Sequence, residues 1–453
     1  MVAKPFTPQR LLGALEQFPP ARRYLVAYSG GLDSHVLLHS LALLRDRLAV
    51  QELHAVHVDH RLSPSAGEWS RHCTAICNGL DVPCHVLRVD ARHAKGESPE
   101  AAARKARYEA IAAFLQESDG LLTAHHLDDQ AETVLLQLLR GCGPRGLAAM
   151  PPWDRFGAGW HGRPLLGFSR EDLRGYARSE KLRWIEDESN YDTGFERNFL
   201  RHEVIPLLRS HWPALGRTLS RTAMHSAEAA GLLDRLAAED LAVEPDGGVS
   251  IVHLKRLDPG RQRNVLRYWI RRSGLPLPDT AHLQRIIEEV LPAAADGAPR
   301  VAWPGAEIRR YRDRLYALTP LPEHDNSRIL EWDLAEPMPL PGGAVVRARQ
   351  VAGRGVKRQL CSEARVTVRF RQGGERCRPA GRGHTRSLKK LLQEHGVPPW
   401  HRERLPLIHL DGKLAAVAGL FVCEPFQARD EEPGLEFSWE PPAPAFSKYD
   451  LRR

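Results

Sequence analysis

A six-residue loop, Ser29-Gly-Gly-Leu-Asp-Ser34, separates a strand-like segment at 24–28 from a leucine-rich, helix-like segment at 35–48. Its glycines allow the backbone to approach a ligand closely, and the following helix offers N–H groups at its start, so we predict a phosphate site. The Walker pattern would require a lysine that this loop lacks. Asp33 is therefore expected to hold a metal that arrives with the phosphates. The alternative is a Gly-Gly turn in which a serine caps the helix. The predicted phosphate-binding residues are Ser29, Gly30, Gly31, Leu32, Asp33 and Ser34.

A second cluster of chemically active side chains lies in the segment 123–133. If 128–140 is helical, side chains at spacing i, i+3, i+4 and i+7 share one face, and these are His125, Asp128, Asp129 and Glu132. Such a face could act as an acid, a base or a cation site. Asp129 and Glu132 could instead form a capping box, but that would not account for His125 or Asp128.

Arg104 and Arg107 lie three residues apart on a helix predicted over 98–117, so they share a face. Two guanidinium groups on one face could clamp a phosphate group. The spacing alone favours the alternative, a solvated helix face.

These side chains need a scaffold, and the first half of the chain provides alternating strand-like and helix-like segments. That alternation predicts an α/β fold with a parallel sheet covered by helices on both faces. Ligands on such sheets bind at the carboxyl ends of the strands. We predict three domains: a catalytic domain at 1–213, a small α-rich domain with a linker at 214–327, and a small α+β domain at 328–453. In the middle domain we expect a strand at 249–253 and a hairpin at 300–318.

The composition narrows the class of protein. The 453 residues carry a formal net charge of +8, with 42% hydrophobic and 26% charged residues, which is ordinary for a globular protein. No apolar run is long enough for a membrane span, and residues 1–6 lack the pattern of a secretory signal. Seven scattered cysteines without a Cys-x-x-Cys pair suggest neither a disulfide framework nor a four-cysteine zinc site. We expect a cytoplasmic protein.

The positive charge is concentrated near the C-terminus. Residues 354–404 contain fourteen basic and four acidic residues, a local net charge of +10, so the rest of the chain sums to −2. This pattern favours RNA binding over a generic arginine-rich surface. Trp400, with His401 beside it, could form a stacking surface for a base. The predicted RNA-binding residues are Arg376, Arg378, Lys389, Lys390, Trp400 and Arg402.

The loop at 29–34 resembles the PP-loop of the ATP pyrophosphatase family, whose domain has the adenine nucleotide alpha hydrolase-like fold. The resemblance implies that ATP and Mg²⁺ are used and that AMP is passed to a substrate carbonyl oxygen. It also implies that the loop holds pyrophosphate, with Asp33 on the metal.

Further blocks resemble the bacterial tRNA(Ile)-lysidine synthetases within that family. The matching segments are 57–61, 100–108, 123–150, 164–166, 184–190 and 197–202. The resemblance implies ligation of free L-lysine to C2 of the wobble cytidine of tRNA(Ile) with a CAU anticodon. The C2 oxygen would first be adenylated, and the lysine ε-amine would then displace AMP, so that the tRNA reads AUA instead of AUG.

The same resemblance suggests roles for individual residues. Arg104 would contact the α-phosphate, and the candidates for catalysis are Asp33, Arg104, His125, Asp129 and Glu132. Asp128, Asp129 and Glu132 would hold the lysine substrate. The C-terminal domain would recognise the tRNA, with Lys389-Lys390 and the segment 398–402 as its motif. The protein is expected to be a monomer or a homodimer.

Three alternatives stay open at this point. A PP-loop enzyme that installs 2-thio groups in tRNA would use paired cysteines or an iron–sulfur cluster, and no cysteine adjoins the loop. An ammonia-transferring synthetase would not need a local charge of +10. A non-catalytic RNA-binding protein would not need an intact loop at 29–34 or the cluster at 123–133.

Overall fold

The computed structural model describes residues 5–60, 66–89, 99–186, 191–244, 247–294 and 297–440. The chain divides into two compact units, Met1–Leu232 and Leu233–Arg453, and the division falls inside a long helix. The predicted boundaries at 213 and 327 stay a prediction.

The first unit is an α/β fold, as predicted. Its strands are β1 (Arg23–Ala27), β2 (Glu52–Asp59), β3 (Cys84–Arg88), β4 (Asp119–Leu122), β5 (Trp153–Phe156) and β6 (Gly159–Gly162). Its helices are α1 (Pro8–Leu15), α2 (Leu32–Leu43), α3 (Ala66–Gly79), α4 (Pro99–Phe114), α5 (Leu127–Leu139), α6 (Pro144–Leu147), α7 (Arg170–Ser179), α8 (Glu196–Phe199) and α9 (Ile205–His211), with a 3₁₀ turn at Arg45–Arg47 and a π turn at Leu200–Val204. Helix α10 (Leu215–Asp240) follows and contains the division between the units.

The strands of this unit form one sheet in the order β3-β2-β1-β4-β6-β5. All neighbouring strands are parallel except β5, which runs antiparallel to β6. Side chains along β1 alternate between two cores: Tyr24 and Val26 belong to one, and Leu25 packs with Ile111 of α4 in the other. Apolar cores on both faces explain why β1 is a continuous hydrophobic run. The chain runs from β1 outward through β2 to β3 and then returns to place β4 on the other side of β1. Because the strand order reverses at β1, a crevice opens there at the carboxyl ends of the strands.

Among the described residues, the second unit contains two large apolar cores and two smaller ones. Around the first lie α11 (Ile251–Leu254), α12 (Pro259–Arg272), α13 (Thr280–Arg285) with a π turn at Ile286–Val290, and strands β7 (Val249–Ser250), β8 (Arg300–Trp303), β9 (Ala306–Tyr311) and β10 (Arg314–Leu318). The sheet order is β7-β10-β9-β8. Two predictions are wrong here. The expected strand at 249–253 becomes helical at Ile251, where Ser250 caps the turn, and the expected hairpin at 300–318 is a three-stranded meander within the described residues.

The second core of this unit lies in the C-terminal part. Its strands are β11 (Ile329–Glu331), β12 (Met338–Pro339), β13 (Val345–Ala352), β14 (Val356–Lys357), β15 (Val366–Arg369), β16 (Arg376–Cys377), β17 (Arg386–Ser387), β18 (Leu407–Leu410), β19 (Lys413–Val417), β20 (Phe421–Val422) and β21 (Pro433–Glu440). Its helices are α14 (Arg358–Glu363), α15 (Leu388–Glu394) and α16 (Pro399–Arg402). The main sheets have the orders β11-β15-β18-β19-β20 and β12-β13-β21-β14. This mixture confirms the α+β character expected of the region. Throughout the described residues, no helix combines the length and the hydropathy that a membrane span requires.

Candidate active site

A cavity of about 450 Å³ lies in the first unit, where β1, β2 and β4 end. Its lining includes the loop at 29–34, the arginines of α4, and residues that follow β4. The structure thus brings together the loop, Arg104 and His125, which are spread over almost a hundred residues of the sequence. This is the strand-end crevice expected of an open α/β sheet.

The loop at 29–34 is built for close approach by a ligand. Gly30 has φ +83°, and an added Cβ would lie 3.0 Å from the Cys73 sulfur and 3.1 Å from Ile185 Cδ1. A larger residue would therefore strain the backbone and collide with its neighbours. The Ser34 hydroxyl donates to the Gly31 carbonyl at 3.0 Å and lies 3.0 Å from the Ser29 hydroxyl. Helix α2 begins after Gly31, which has no side chain to cap it, so the alternative of a serine cap is wrong.

Asp33 lies in the first turn of α2 and lines the cavity. Its Oδ1 atom is buried and has no hydrogen-bond partner among the described residues. Its Oδ2 atom is 3.6 Å from His126 Nε2. A buried carboxylate oxygen without a donor is costly, and a bound cation would remove that cost. The described residues contain no cluster of three or more side chains able to hold a metal ion by themselves, so a metal here would need phosphate oxygens as further ligands.

His126 is a site residue that the sequence interpretation left without a role. It forms the N-cap of α5 and accepts from the Asp129 N–H, while the Asp129 carboxylate accepts from the His126 N–H. The capping box therefore joins His126 to Asp129, not Asp129 to Glu132. Burial would lower the pKa of His126, but the carboxylates of Asp129 and Asp33 raise it to about 9. His126 thus connects the loop carboxylate to a carboxylate of α5 through its Nε2 atom, which lies 3.6 Å from Asp33 Oδ2 and 3.4 Å from Asp129 Oδ2.

Asp129 and Glu132 are occupied by two arginines that the sequence interpretation did not single out. Arg197 Nε donates to Glu132 at 2.7 Å, and Arg201 Nε donates to its other oxygen at 2.6 Å. Both guanidinium groups also reach Asp129 Oδ1, at 3.1 and 3.2 Å. Glu132 is only 1% exposed. The four side chains form a closed, charge-balanced network at the edge of the cavity, into which Arg201 extends.

The carboxylates of this region are held ionised. Burial alone would raise the pKa of Asp129, but the charges of His126 and Arg197 outweigh it and hold that pKa far below its usual range. Burial likewise opposes the ionised form of Asp128, and the Arg170 N–H, which donates to it at 2.8 Å, helps to lower its pKa. Asp128 also pairs with Arg209. Asp128 therefore faces partners other than those of Asp129.

His125 precedes α5, which begins at Leu127, so it does not share a helical face with the three carboxylates. That part of the expectation is wrong, because the chain turns at the capping residue His126. The His125 ring lines the cavity, and its Nδ1 atom is 2.8 Å from the Thr123 hydroxyl. Burial lowers the pKa of His125 to about 4. The ring is therefore neutral near pH 7.

The arginines of α4 also line the cavity. Arg104 lies over the Tyr108 ring at 5.1 Å, and Arg107 Nε donates to His60 Nε2 at 3.1 Å. His57 lines the cavity as well, but its Nδ1–H donates to the Tyr28 carbonyl at 2.9 Å and ties two strand ends together. Residue 98, the first of the helix predicted over 98–117, lies outside the described residues. Residues 61 and 187–190, which belong to the matching blocks, also lie outside them.

Three family models match the chain. The PP-loop domain matches residues 6–208, the TilS substrate binding domain matches 250–316, and the TilS substrate C-terminal domain matches 366–439. The first match covers the sheet and the cavity described above, and the other two fall in the second unit.

Curated relatives are similar over nearly the whole chain. The tRNA(Ile)-lysidine synthase of Coxiella burnetii is 46% identical over 440 residues, covering 96% of this chain and 97% of the relative. The enzyme of the same name from Methylococcus capsulatus is 44% identical and covers 93% and 97%. The one from Yersinia pestis is 41% identical and covers 96% and 98%.

The chain belongs to the tRNA(Ile)-lysidine synthase family. Similarity at this level over both units supports that family rather than the thiolation enzymes kept as an alternative. It also confirms the PP-loop resemblance and the use of ATP that it implies.

In this tRNA(Ile)-lysidine synthase chain, the predicted RNA-binding residues fall into two groups. Arg376, Arg378, Lys389 and Lys390 are exposed, and none has an ion-pair partner among the described residues. Arg376 pairs with Ser387 across β16 and β17, immediately before α15, the helix that carries Lys389 and Lys390.

Trp400 and Arg402 belong to the other group. Trp400 is 8% exposed and packs against the rings of Tyr316 and Tyr311 at 5.4 and 6.3 Å. Arg402 Nε donates to the Val397 carbonyl at 2.8 Å. The prediction that Trp400 offers a stacking surface for a base is wrong, because its ring is buried against Tyr311 and Tyr316.

Proposed function

We propose that this chain ligates L-lysine to C2 of the wobble cytidine in the CAU anticodon of tRNA(Ile). In the first step the cytidine C2 oxygen attacks the α-phosphate of ATP and pyrophosphate leaves. In the second step the lysine ε-amine attacks C2 and AMP leaves. The product, lysidine, makes the tRNA read AUA instead of AUG and carry isoleucine instead of methionine.

The observation that carries this proposal is the cavity itself. It lies in a chain that is similar over nearly its whole length to relatives named tRNA(Ile)-lysidine synthase. The glycine loop and the first turn of α2 supply backbone N–H groups for the leaving pyrophosphate. Arg104, on the neighbouring wall, supplies a cation for the charge that develops on the α-phosphate. Arg107 and His60 would border the nucleotide beside it.

We assign Mg²⁺ to Asp33. The unpartnered Oδ1 atom fits a hard cation that prefers oxygen ligands. The ion, when bound, would neutralise charge on the phosphates. His126 borders the other side of the carboxylate, since its Nε2 atom lies 3.6 Å from Oδ2.

The lysine substrate has an ammonium with a pKa of about 10.4, and it must lose a proton before it can attack. We place that ammonium near Asp129 and Glu132, whose carboxylates accept hydrogen bonds from two arginine side chains. The same carboxylates would accept the third cation, and Arg197 and Arg201 would favour its neutral form through like-charge repulsion. Asp128 would border the site on the side of α7.

The second unit would hold the tRNA through its exposed basic residues, Arg376, Arg378, Lys389 and Lys390. Phosphate contacts of this type are strong and depend on salt concentration. We further propose that the protein acts in the cytoplasm, where charged isoleucine tRNA is used, as a monomer or a homodimer.

Incubation with ATP, Mg²⁺, labelled lysine and tRNA tests this function. We expect labelled lysine in tRNA(Ile) with a CAU anticodon, with one AMP and one pyrophosphate released per lysine, and little label in methionine tRNA with the same anticodon. The Arg104→Ala variant should lose most of the transfer, whereas Lys105→Ala, an exposed change on the same helix, should retain it. ATP cleavage that leaves no lysine in the RNA would reject the proposal.

A further inference from the structure

A chain of hydrogen bonds runs behind the cavity and ends on His125. Arg163 Nη2 is 3.1 Å from His161 Nδ1, His161 Nε2 is 2.8 Å from the Thr123 hydroxyl, and that hydroxyl is 2.8 Å from His125 Nδ1. Arg163 is itself held by the Pro151 carbonyl, which accepts from Nη1 at 2.8 Å. His161 and Thr123 are buried.

Arg163, the first member, gives this chain of hydrogen bonds a direction. A guanidinium has donors and no acceptor, so Arg163 must donate to His161 Nδ1. Burial lowers the pKa of His161 to about 3, so its ring carries a single proton, which must then lie on Nε2. That N–H donates to the Thr123 oxygen. The only acceptor for the Thr123 proton among the described residues is His125 Nδ1.

The remaining nitrogen of His125 is left in a defined state. A neutral imidazole that accepts at Nδ1 carries its proton on Nε2. No described residue hydrogen-bonds to this second nitrogen, and the ring lines the cavity. His125 therefore presents an N–H group to whatever occupies the cavity.

We propose that Arg163, His161 and Thr123 are positioning residues that fix His125 as a hydrogen-bond donor, through Nε2–H, to an oxygen of the bound substrates. His125 then does not act as the base that deprotonates lysine, which narrows the candidates to the carboxylates of α5. No proton has to move along the chain, because its function is to hold one tautomer.

The tautomer can be measured without any substrate. In the full-length protein labelled with ¹⁵N-histidine, the His125 signal is assigned by its loss in His125→Gln, and long-range ¹H–¹⁵N correlations then distinguish the two tautomers. We expect the Nε2–H form in wild type and in Thr123→Ser, which keeps the hydroxyl. In Thr123→Val, which has the same shape without the donor, and in His161→Phe, the second tautomer should appear. An Nδ1–H form in wild type, or an unchanged His125 signal in Thr123→Val, overturns the proposal.

The kinetic consequence rests on the proposed function, whereas the tautomer does not. Removing a positioned donor costs roughly 100- to 1000-fold in kcat, so we expect His125→Ala to lose about that much, and Thr123→Val about tenfold. Thr123→Ser should stay within about threefold of wild type. Glutamine has an amide N–H that can replace the donor but is no base, so His125→Gln should be faster than His125→Ala. Equal rates for these two variants would contradict the donor role even if lysine transfer itself is confirmed.

Discussion

Two regions of the molecule, the cavity of the first unit and the start of α15 in the second unit, use cationic side chains in opposite ways. Around the cavity of the first unit, Arg197 and Arg201 are directed at buried carboxylates, and each charge has a partner at a defined distance. In the second unit, Lys389 and Lys390 lie on the exposed face of a short helix, without an ion-pair partner among the described residues. Buried pairs fix geometry and are screened little by salt, whereas exposed charges attract phosphates over a distance and are screened.

This contrast separates chemistry from capture. Changes around the cavity should alter the rate of the chemical steps and the stability of the fold. Changes on the exposed basic surface should alter the affinity for tRNA and leave the rate at saturation intact. The four tests that follow are given in order of decreasing expected effect. The first and the last test this separation, and the other two test the packing of the second unit.

Glu132→Gln should have the largest effect, because it leaves two guanidinium groups facing one carboxylate fewer. Breaking a buried ion pair by removing one partner costs about 3–5 kcal/mol. We expect the free energy of unfolding, measured with urea, to fall by that amount and lysine transfer to be lost. The matched control is Glu196→Gln, which breaks the exposed pair with Arg140 and should cost less than about 1 kcal/mol. Equal costs for the two variants would show that the network is not closed as described.

Trp400→Ala tests whether the second unit uses this ring for packing or for RNA. Removing a buried tryptophan side chain costs about 3–5 kcal/mol, so the melting temperature should drop clearly, and Trp400→Phe should lose less. If instead both variants melt like wild type but bind tRNA weakly, Trp400 is a stacking surface after all.

His401→Gln concerns a titratable side chain beside that packing core. Burial lowers the pKa of His401 to about 4, below the value near 6.5 expected when unfolded. The unfolded chain therefore takes up a proton first as the pH falls from about 6.5 to 4, and the protein loses stability on the order of 1–3 kcal/mol over that window. The variant should lose less, while His395→Gln, at an exposed histidine, should follow wild type. Identical profiles for wild type and His401→Gln would contradict this.

The double variant Lys389→Ala/Lys390→Ala should weaken tRNA binding about tenfold and reduce the slope of log K against log salt by about one to two. Its kcat at saturating tRNA should match that of wild type. Lys105→Ala, an exposed lysine of the first unit, serves as the control and should leave the affinity and the slope unchanged. A loss of kcat without a loss of affinity would place these lysines in the chemistry.

The sequence predicted what depends on local pattern. The strand at 24–28 and the helix at 98–117 followed from their local sequence, and the loop at 29–34 from its glycines. The structure gives the strand and the helix as Arg23–Ala27 and Pro99–Phe114. The prediction of a strand at 249–253 was wrong because a short helix, capped by Ser250, begins at Ile251.

The sequence could not predict which distant side chains would meet. Arg197 and Arg201 lie 65 to 72 residues from their carboxylate partners, and only their spacing of four, on a segment that matched the family, could have signalled a shared face. Trp400 of α16 is buried against Tyr311 of β9 and Tyr316 of β10, which lie more than eighty residues earlier in the chain. His125 was placed on a helical face because the residue that starts α5 could not be located from periodicity alone.

A single-turnover measurement of lysine transfer gives the sharpest test of whether the cavity performs the chemistry while the exposed basic surface binds the tRNA. Enzyme in excess over labelled tRNA(Ile) is varied for wild type, Arg104→Ala and Lys389→Ala/Lys390→Ala. We expect Arg104→Ala to lower the maximal rate constant with little change in the concentration for half-maximal rate. The lysine variant should raise that concentration about tenfold at an unchanged maximal rate. The reverse pattern, with the lysines controlling the maximal rate and Arg104 only the affinity, would contradict the account.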